Sequence, residues 1–388
     1  MTTALEPARA LMQTYRRWPV RFVDGHGCTL VDAEGNSYLD LVAGLAVVST
    51  GHCHPRVTRA IAGQAARLVH VSNLYETEPA AELAGRLAGL TGGMQSFLCS
   101  SGAEAVECAL KLARRHGGTR RRIVAADGGF HGRTLGALSV TGQPSKRAPF
   151  EPLVGEVTHV PYGEPAALVD ALGDDVAALV LEPIQGEAGV VVPPDGYLAA
   201  ARAACDDAGA LLVLDEVQTG IGRTGRWFAY EDAGIRPDVL CLAKGLGAGL
   251  PIGACLAQPH VAASFAPGDH GSTFGGGPVP CAAALAVLDT VEEEDLVGRA
   301  ASAGARLASG LAGTFGAEAV RGRGLLLAVE LDRPVARAFA ALALGRRVLV
   351  NDVAPDVLRF APPLVISDEE VDHALSVVEE VWDEIATS

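Results

Sequence analysis

The sequence predicts an α/β fold: a large domain with a mostly parallel central sheet, followed by a smaller α/β domain. Apolar runs of strand length alternate with longer Ala-, Leu- and Arg-rich helical patterns from about residue 95 to residue 260. Such alternation is typical of parallel strands joined by helices, and polar residues follow several runs, where such sheets bind ligands. The predicted strands are SFLCS, RRIVAA, VTHVPY, VAALVLEPI, ALLVLDEV, DVLCLAKG and IGACLA.

Composition indicates a globular protein with a large core. Of the 388 residues, 49% are hydrophobic and 20% are charged, which argues against disorder. The net charge of −15 argues against a nucleic-acid binder, and no apolar run reaches the ~18 residues of a membrane span. The eight cysteines are scattered, and the first residues lack the pattern of a secretory signal. We therefore expect a cytoplasmic protein.

Three segments are expected along the chain. Residues 1–50 contain strand-like runs joined by the turn AEGN and are expected to pack with the small domain. Residues 51–285 form the large domain, which binds the ligand. Residues 286–388 form the small C-terminal domain, with the runs GLLLAVEL, RRVLVN and VLRFAPPL before an acidic helix that begins near Ser367.

One lysine stands where the run DVLCLAKG gives way to glycines. Only Lys111, Lys146 and Lys244 are lysines among the 31 Lys+Arg residues. A solvated loop charge is the usual fate of a lysine. The chemical alternative is an amine that loses its proton and attacks a carbonyl group, which a guanidinium does not do. The local sequence leaves both interpretations of Lys244 open.

A carboxylate ends the preceding predicted strand. Asp215 follows ALLVL, and in isolation it fits a helix cap, a salt bridge, a metal ligand, a general base or a partner for a protonated ring nitrogen. Because Asp215 and Lys244 end successive strands, we expect both side chains to reach one crevice.

Two further motifs indicate sites for an anion and for a flat group. Ser101 and Glu104 in SSGAEAVE fit a capping box, which leaves the N–H groups of Gly102 and Ala103 at a helix N-terminus, a natural anion site. An ordinary helix cap is the alternative. In GGFHGRTLGAL, the Phe130 ring offers a stacking surface and Arg133 a cation for a carboxylate, or else the segment is a turn with one packed aromatic.

Three other motifs carry weaker signals. In GDHGSTFGGGP, the hydroxyls of Ser272 and Thr273 suit a phosphate, and a flexible linker is the alternative. His52 and His54 in GHCHP lack a third ligand, so we expect no metal. GLGAGLPIG departs from the dinucleotide-binding spacing, and Pro251 interrupts any following helix.

Together these residues match the needs of one cofactor. Pyridoxal 5′-phosphate (PLP) requires an amine for its aldehyde, a carboxylate for its ring nitrogen, donors for its phosphate and a surface for its ring. The same motifs resemble the class III (subgroup II) aminotransferases, in particular the acetylornithine/succinylornithine branch. The matching motifs include YLDLVAGLAV, SSGAEAVECALKLAR, FHGRTLGALSVTG, EPIQGEAGV, LLVLDEVQTGIGRTG, PDVLCLAKGLGAGLPIGA, GDHGSTFGGG and LRFAPPLVIS.

The resemblance implies the PLP-dependent transferase fold type I and a homodimer with active sites at the subunit interface. It makes Lys244 the residue that bonds to the cofactor aldehyde and Asp215 the partner of the pyridinium nitrogen. Val217 and Phe130 are implied on the two ring faces, with Gln218 near the phenolic oxygen.

The resemblance also implies the remaining contacts. Gly102 and Ala103 bind the phosphate, joined by Thr273 from the partner subunit, and Glu216 is counted among the cofactor contacts. Ser272 lies near the substrate.

Three charged residues are implied for substrate binding. Arg133 takes the α-carboxylate of an N-acylated ornithine, and Arg359 takes a carboxylate of 2-oxoglutarate or glutamate. Glu187 pairs with Arg359 while the longer diamine is bound. The implied reaction moves the δ-amine of N2-acetylornithine to 2-oxoglutarate, as in arginine biosynthesis.

The sequence departs from the family pattern at some positions, and these departures leave other amino donors as alternatives to N2-acetylornithine. Gly277 stands where the family usually has Asn, and Ala188 where glycine is common. The alternatives are succinylornithine, 4-aminobutyrate, a diaminopimelate-type substrate or an amine of specialised metabolism. A more distant alternative is a non-catalytic or metal-binding protein on the same scaffold.

Overall fold

A computed structural model describes residues 11–387. Strands and helices are numbered separately in chain order. The strands are β1 (Phe22–His26), β2 (Thr29–Asp32), β3 (Ser37–Asp40), β4 (Gln95–Cys99), β5 (Arg122–Ala126), β6 (Val157–Val160), β7 (Val176–Leu181), β8 (Leu211–Asp215), β9 (Val239–Leu242), β10 (Gly253–Ala257), β11 (Val320–Arg323), β12 (Leu326–Glu330), β13 (Val348–Leu349), β14 (Asn351–Ala354) and β15 (Val357–Phe360). The helices are α1 (Pro55–Ala65), α2 (Glu78–Thr91), α3 (Gly102–Gly117), α4 (Leu135–Val140), α5 (Pro144–Arg147), α6 (Pro165–Ala171), α7 (Tyr197–Ala208), α8 (Pro259–Ala262), α9 (Pro278–Glu293), α10 (Leu296–Phe315), α11 (Ala336–Gly345) and α12 (Asp368–Thr387).

The central sheet contains all seven strands predicted from the apolar runs. Its order is β4-β10-β9-β8-β7-β5-β6, and only β10 runs antiparallel to its neighbours. Strands β7, β8 and β9 are buried along their whole length, because a parallel sheet is covered on both faces and its strands are continuously apolar. The predicted mostly parallel sheet is confirmed.

Helix α3 covers this sheet and begins at the predicted cap. The Ser101 hydroxyl accepts a hydrogen bond from the Glu104 N–H at 3.2 Å, and the Glu104 carboxylate accepts one from the Ser100 N–H at 2.9 Å. The apolar face of the helix, which includes Val106, Ala109 and Ala113, is buried. The capping residues therefore set where the helix starts, and its apolar spacing sets which face packs on the sheet.

The N-terminal strands join a sheet with the C-terminal part of the chain. Strands β1, β2 and β3 form an antiparallel meander, and β3 pairs in parallel with β13. The predicted AEGN turn is confirmed, since the Asp32 carboxylate accepts hydrogen bonds from the Glu34 and Asn36 N–H groups at 3.0 Å and 2.8 Å. A carboxylate that accepts hydrogen bonds from backbone N–H groups a few residues further along the chain closes a tight turn.

The C-terminal strands form a third, antiparallel sheet in the order β11-β12-β15-β14. Helices α10 and α12 pack against each other beside it, and α9 packs on α1 and α2. The boundary expected after residue 285 falls inside α9, so the division at residues 50 and 285 stays a prediction. Between residues 11 and 387, no helix combines the length and the apolar character needed to cross a bilayer.

Candidate active site

A cavity of about 350 Å³ lies where β8 and β9 end and α3 begins. This volume is within the range of small-molecule sites. Carboxyl ends of neighbouring parallel strands meet at one edge of a sheet, which brings the polar residues after each strand together. Predicted site residues that line the cavity are Gly102, Ala103, Phe130, Glu187, Asp215, Val217, Gln218 and Lys244.

Lys244 lies two residues beyond the end of β9 and lines the cavity. Its backbone has φ = 37°, a left-handed conformation that costs energy for a residue with a side chain. Burial lowers the pKa of the Lys244 amine, the Arg359 charge lowers it further, and Glu187 and Asp215 oppose the shift. The neutral amine is thus favoured more than in a free lysine, as a nucleophile or base requires.

Asp215 ends β8, and a buried histidine holds its carboxylate. The Asp215 Oδ2 lies 2.8 Å from the His131 Nδ1, and its Oδ1 accepts the Val217 N–H at 3.0 Å. Burial works against the protonation of His131, but the hydrogen bond and charge of Asp215 outweigh it, so the pKa of His131 is raised. The sequence analysis missed His131, although it adjoins Phe130 in the FHG motif.

Two buried polar atoms beside the cavity have no hydrogen-bond partner among the described residues. They are the Gln218 Nε2 and the His131 Nε2. The Gln218 Oε1 accepts a hydrogen bond from the Arg359 Nη1 at 3.2 Å, which leaves its amide nitrogen free to donate. An unpaired buried donor is costly, so a ligand acceptor at this position satisfies it.

The N-terminus of α3 lies at one end of the cavity. Gly102 and Ala103 are its first residues, whose N–H groups have no carbonyl one turn earlier to bind. A Cβ atom at position 102 would lie 2.9 Å from both methyl carbons of Val217. Position 102 therefore has no room for a side chain, because Val217 packs directly against it.

Phe130 is held at the cavity by a buried glutamate. The Glu182 carboxylate accepts hydrogen bonds from the Phe130 N–H at 2.8 Å and from the Gly186 N–H at 3.1 Å. Burial raises the pKa of Glu182 to about 7, although the His131 charge and both hydrogen bonds lower it. Glu182 was not singled out from the sequence, despite its place directly after β7.

Arg359, which lies behind the cavity lining, pairs with Glu187, which is part of that lining. The Arg359 Nη1 donates to the Glu187 Oε1 at 2.6 Å, and the arginine is only 2% exposed. Burial raises the pKa of Glu187, but the charge and hydrogen bond of Arg359, together with the charges of Lys244 and Lys146, outweigh burial, and the pKa of Glu187 is lowered. The two residues thus form a charged pair that a substrate carboxylate can exchange with.

Two further cations flank Phe130 outside the cavity lining. The Arg133 Cζ lies 5.6 Å and the Lys146 Nζ 4.6 Å from the centre of the Phe130 ring, both within the range of a cation–π contact. Arg133 is exposed and free to meet a substrate, whereas Lys146 is half-buried. Lys146 was noted only as one of three lysines in the sequence.

Glu216 is not among the residues that line the cavity, and its contact with the cofactor stays a prediction. Its carboxylate accepts hydrogen bonds from the N–H groups of Ala229 and Tyr230 at 2.8 Å and 2.9 Å. Burial raises the pKa of Glu216 to about 7. Because successive side chains at a strand end point to opposite sides, Asp215 reaches the cavity and Glu216 holds the following segment.

Ser272 and Thr273 also lie outside the cavity that this one chain forms. The Ser272 hydroxyl accepts a hydrogen bond from the Gly275 N–H at 3.0 Å, and Thr273 is exposed. The Asn73 side-chain amide anchors their loop by donating to the Ser272 and Gly275 carbonyls at 2.9 Å. A role for Thr273 in a partner's site stays a prediction.

The two histidines of GHCHP are bound to carboxylates. The His52 Nε2 lies 2.8 Å from the Asp40 Oδ2, and the His54 Nε2 lies 3.1 Å from the Glu294 Oε1. Across residues 11–387, no group of three or more His, Cys, Asp or Glu side chains is placed to hold a metal ion.

The cavity residues fit PLP. The helix N-terminus suits its phosphate, the buried carboxylate of Asp215 suits its ring nitrogen, and the unpaired Gln218 Nε2 suits its phenolic oxygen. Lys244 supplies the amine at the same cavity.

Comparison with known proteins agrees with this geometry. Residues 11–382 match the family model described as aminotransferase class-III. The acetylornithine aminotransferase of Mycolicibacterium smegmatis is 52% identical over 379 residues, which cover 97% of each chain.

Two solved structures have the same fold. The acetylornithine aminotransferase of Elizabethkingia anophelis is 31% identical with a TM-score of 0.86, and the match covers 97% of each chain. The ornithine aminotransferase of Toxoplasma gondii, described with partial occupancy of PLP at its active site, is 34% identical with a TM-score of 0.93, over 98% of this chain and 94% of the other. The chain therefore belongs to the class-III aminotransferases and is a PLP-dependent enzyme with the fold of that family.

Proposed function

We propose that this enzyme transfers the δ-amine of N2-acetylornithine to 2-oxoglutarate, giving N-acetylglutamate 5-semialdehyde and glutamate. The observation that carries the proposal is the Arg359–Glu187 pair, joined at 2.6 Å, in which Glu187 lines the cavity. One cavity must accept a donor with no carboxylate beside its reacting carbon and an oxo acid that has one. A cation that a glutamate can cover or release serves both substrates. The M. smegmatis relative, named for acetylornithine, supports this choice of donor.

Arg133 is proposed to bind the distal end of each substrate. Its guanidinium is exposed beside Phe130, which lines the cavity, so it is available at the mouth for the α-carboxylate of acetylornithine. An arginine binds a carboxylate through two parallel N–H donors, which fixes the direction of the substrate. The δ-amine then points inward toward Lys244.

Bound PLP supplies an electron sink for the carbon that carries the transferred nitrogen. The Lys244 Nζ takes the proton from that carbon and returns a proton later in the same half-reaction. Its lowered pKa favours the neutral amine that this step requires.

Asp215 and its neighbours hold the charges that the reaction needs. The Asp215 carboxylate keeps a ring nitrogen protonated, and His131, at 2.8 Å, fixes the orientation of that carboxylate. The Gln218 Nε2 donates to a phenolic oxygen, while its Oε1 stays on Arg359. The first N–H groups of α3 bind the phosphate. These groups are set before substrate arrives, so no reorganisation is required during the reaction.

A panel of amino donors with 2-oxoglutarate tests the proposed substrate. We expect the kcat/KM of N2-acetylornithine to exceed that of ornithine and of 4-aminobutyrate by at least about tenfold, the factor given by roughly 1.4 kcal/mol of selective binding. Succinylornithine is the closest competitor, because it has the same α-carboxylate next to an acylated α-amine. If ornithine, 4-aminobutyrate or a diaminopimelate-type donor has a higher kcat/KM than N2-acetylornithine, that compound replaces N2-acetylornithine as the assigned amino donor.

We also propose a homodimer in which Thr273 reaches the partner's phosphate site. Large apolar side chains are exposed beside the loop that holds Thr273: Leu68, Val69, Leu74, Tyr75 and Phe274 are 43–86% exposed. The ring of His70 contacts that of Phe274 with centres 5.5 Å apart, which joins the two segments into one surface. An exposed apolar patch of this kind is typical of a subunit interface.

Mixing two inactive variants tests the shared site. A Lys244→Ala chain lacks the amine, and a Thr273→Ala chain lacks the donated hydroxyl. If the hydroxyl crosses the interface, each mixed dimer has one intact site and one site with both defects. We expect refolded equimolar mixtures to recover about a quarter of wild-type activity, because half of all dimers are mixed. Activity no higher than the mean of the parents would place both residues in the same chain's site.

We propose that the enzyme works in the cytoplasm. All eight cysteines are free thiols, seven of them buried, as is usual in a reducing compartment.

A further inference from the structure

Asn351, which the sequence analysis did not single out, is hydrogen-bonded to Arg359, the arginine proposed to bind a substrate carboxylate. Asn351 on β14 and Arg359 on β15 are directly opposite across an antiparallel pair. The Asn351 Oδ1 accepts hydrogen bonds from the Arg359 Nε at 3.1 Å and from its Nη2 at 2.8 Å. The backbone register thus places an amide acceptor along one edge of the guanidinium.

The other end of the guanidinium faces the cavity wall. The Arg359 Nη1 donates to the Gly186 carbonyl at 3.0 Å, to Glu187 at 2.6 Å and to Gln218 at 3.2 Å. An arginine has five N–H groups, and Asn351 uses one on Nε and one on Nη2. When Glu187 leaves, Asn351 and the Gly186 carbonyl still hold the arginine. The entering carboxylate takes the place of Glu187 at Nη1, beside the Gly186 carbonyl and Gln218, and meets the second N–H of Nη2, for which the described residues show no acceptor.

The neutrality of Asn351 is as important as its position. Within residues 11–387, Glu187 is the single carboxylate that forms an ion pair with Arg359. An amide oxygen orients the guanidinium but leaves its positive charge for another partner. A carboxylate at position 351 would keep the arginine permanently neutralised and would compete with the substrate.

We propose that Asn351 is a positioning residue for the oxo-acid half-reaction: it holds Arg359 through uncharged hydrogen bonds, so that Glu187 alone decides whether the cation is open to a carboxylate. The inference rests on the proposed function, because it takes Arg359 as the site for a carboxylate of 2-oxoglutarate. The inference adds Asn351 to the proposed site: this residue holds Arg359 in place both when Glu187 is paired with the guanidinium and when a substrate carboxylate has replaced Glu187.

The test is Asn351→Asp, which keeps the size and the Oδ1 acceptor of both hydrogen bonds but adds a charge. We expect kcat/KM for 2-oxoglutarate, measured as a separate half-reaction, to fall about tenfold or more. The half-reaction with N2-acetylornithine should stay within about twofold, because Arg359 is covered at that stage. Glutarate, an unreactive dicarboxylate of the same chain length, should bind about tenfold more weakly by calorimetry. The binding readout is independent of turnover.

Glu187→Gln should change the two half-reactions in the opposite sense. It removes the covering charge, so the acetylornithine half-reaction should slow while glutarate binding is kept or strengthened. Asp352→Asn is the matched control, since this neighbour pairs instead with Arg337 at 3.1 Å and should leave both half-reactions unchanged. Asn351→Leu, which removes both hydrogen bonds, should also weaken glutarate binding and provides a second variant if the aspartate variant folds poorly.

Two outcomes would overturn the inference. One is Asn351→Asp with unchanged glutarate affinity, and the other is an equal loss in both half-reactions, as a merely structural role would give. Arg359→Met distinguishes a failure of the proposed function. If that variant binds glutarate and uses 2-oxoglutarate like wild type, Arg359 is not the carboxylate site, and both proposals fall.

Discussion

Lys244→Arg is expected to lower kcat by about 10³-fold to 10⁴-fold, toward the upper end of what general acid–base catalysis contributes. The guanidinium keeps the positive charge but stays protonated, so it neither bonds to the cofactor aldehyde nor accepts a proton from the substrate. The fold should be unaffected, because the Lys244 side chain forms no hydrogen bond or ion pair with any other residue in the described part of the chain. Single-turnover kinetics with N2-acetylornithine measures the change.

The other lysines provide a control for this result. Lys111 donates to the Asp269 carbonyl at 2.8 Å, outside the cavity, and Lys111→Arg should keep activity within about twofold of wild type. A Lys244→Arg enzyme with wild-type turnover would remove the lysine from the mechanism.

Asp215→Asn is expected to lower kcat by about 10²-fold to 10³-fold, the effect of losing one preorganised electrostatic contact. The amide keeps the shape of the side chain, but it has no charge to keep a ring nitrogen protonated. Burial and the loss of the Asp215 charge and hydrogen bond should both lower the pKa of His131, so its ring should be less easily protonated than in the wild type. PLP should also bind more weakly in an equilibrium titration.

The pattern of effects separates the two residues. The Asp215→Asn variant keeps Lys244, so it should still bond covalently to PLP, whereas Lys244→Arg should not. Asp175→Asn is a suitable control, because Asp175 pairs with Arg122 on the surface and should not affect turnover. Asp215→Asn with kcat within tenfold of wild type would contradict the assigned role.

The central sheet was predictable because each of its strands leaves a recognisable pattern in the local sequence. Strands such as β8 are buried on both faces, so each is a continuous apolar run that is visible in the sequence. The polar residue that ends each run then marks the ligand edge, and this places Asp215 and Lys244 together. The antiparallel direction of β10 was not predicted, because an apolar run carries no information about direction.

Residues that act through the fold were harder to predict. Asn351 contacts Arg359 only because of the register between β14 and β15, and neither local sequence contains that information. Glu182 and His131 are likewise identified by the atoms they bind in the structure. Glu216, which the resemblance counts among the cofactor contacts, accepts hydrogen bonds from Ala229 and Tyr230 outside the cavity lining, so its cofactor contact stays a prediction.

Borohydride reduction of the PLP-loaded enzyme, followed by peptide mapping, tests the central claim most directly. Reduction makes the bond between the cofactor and an amine permanent, and the chain has only three lysines to distinguish. We expect the pyridoxyl group on the peptide that contains Lys244, at about one group per chain, and none after Lys244→Arg. A label on Lys111 or Lys146, or no label on a chain that still transaminates, would contradict the account.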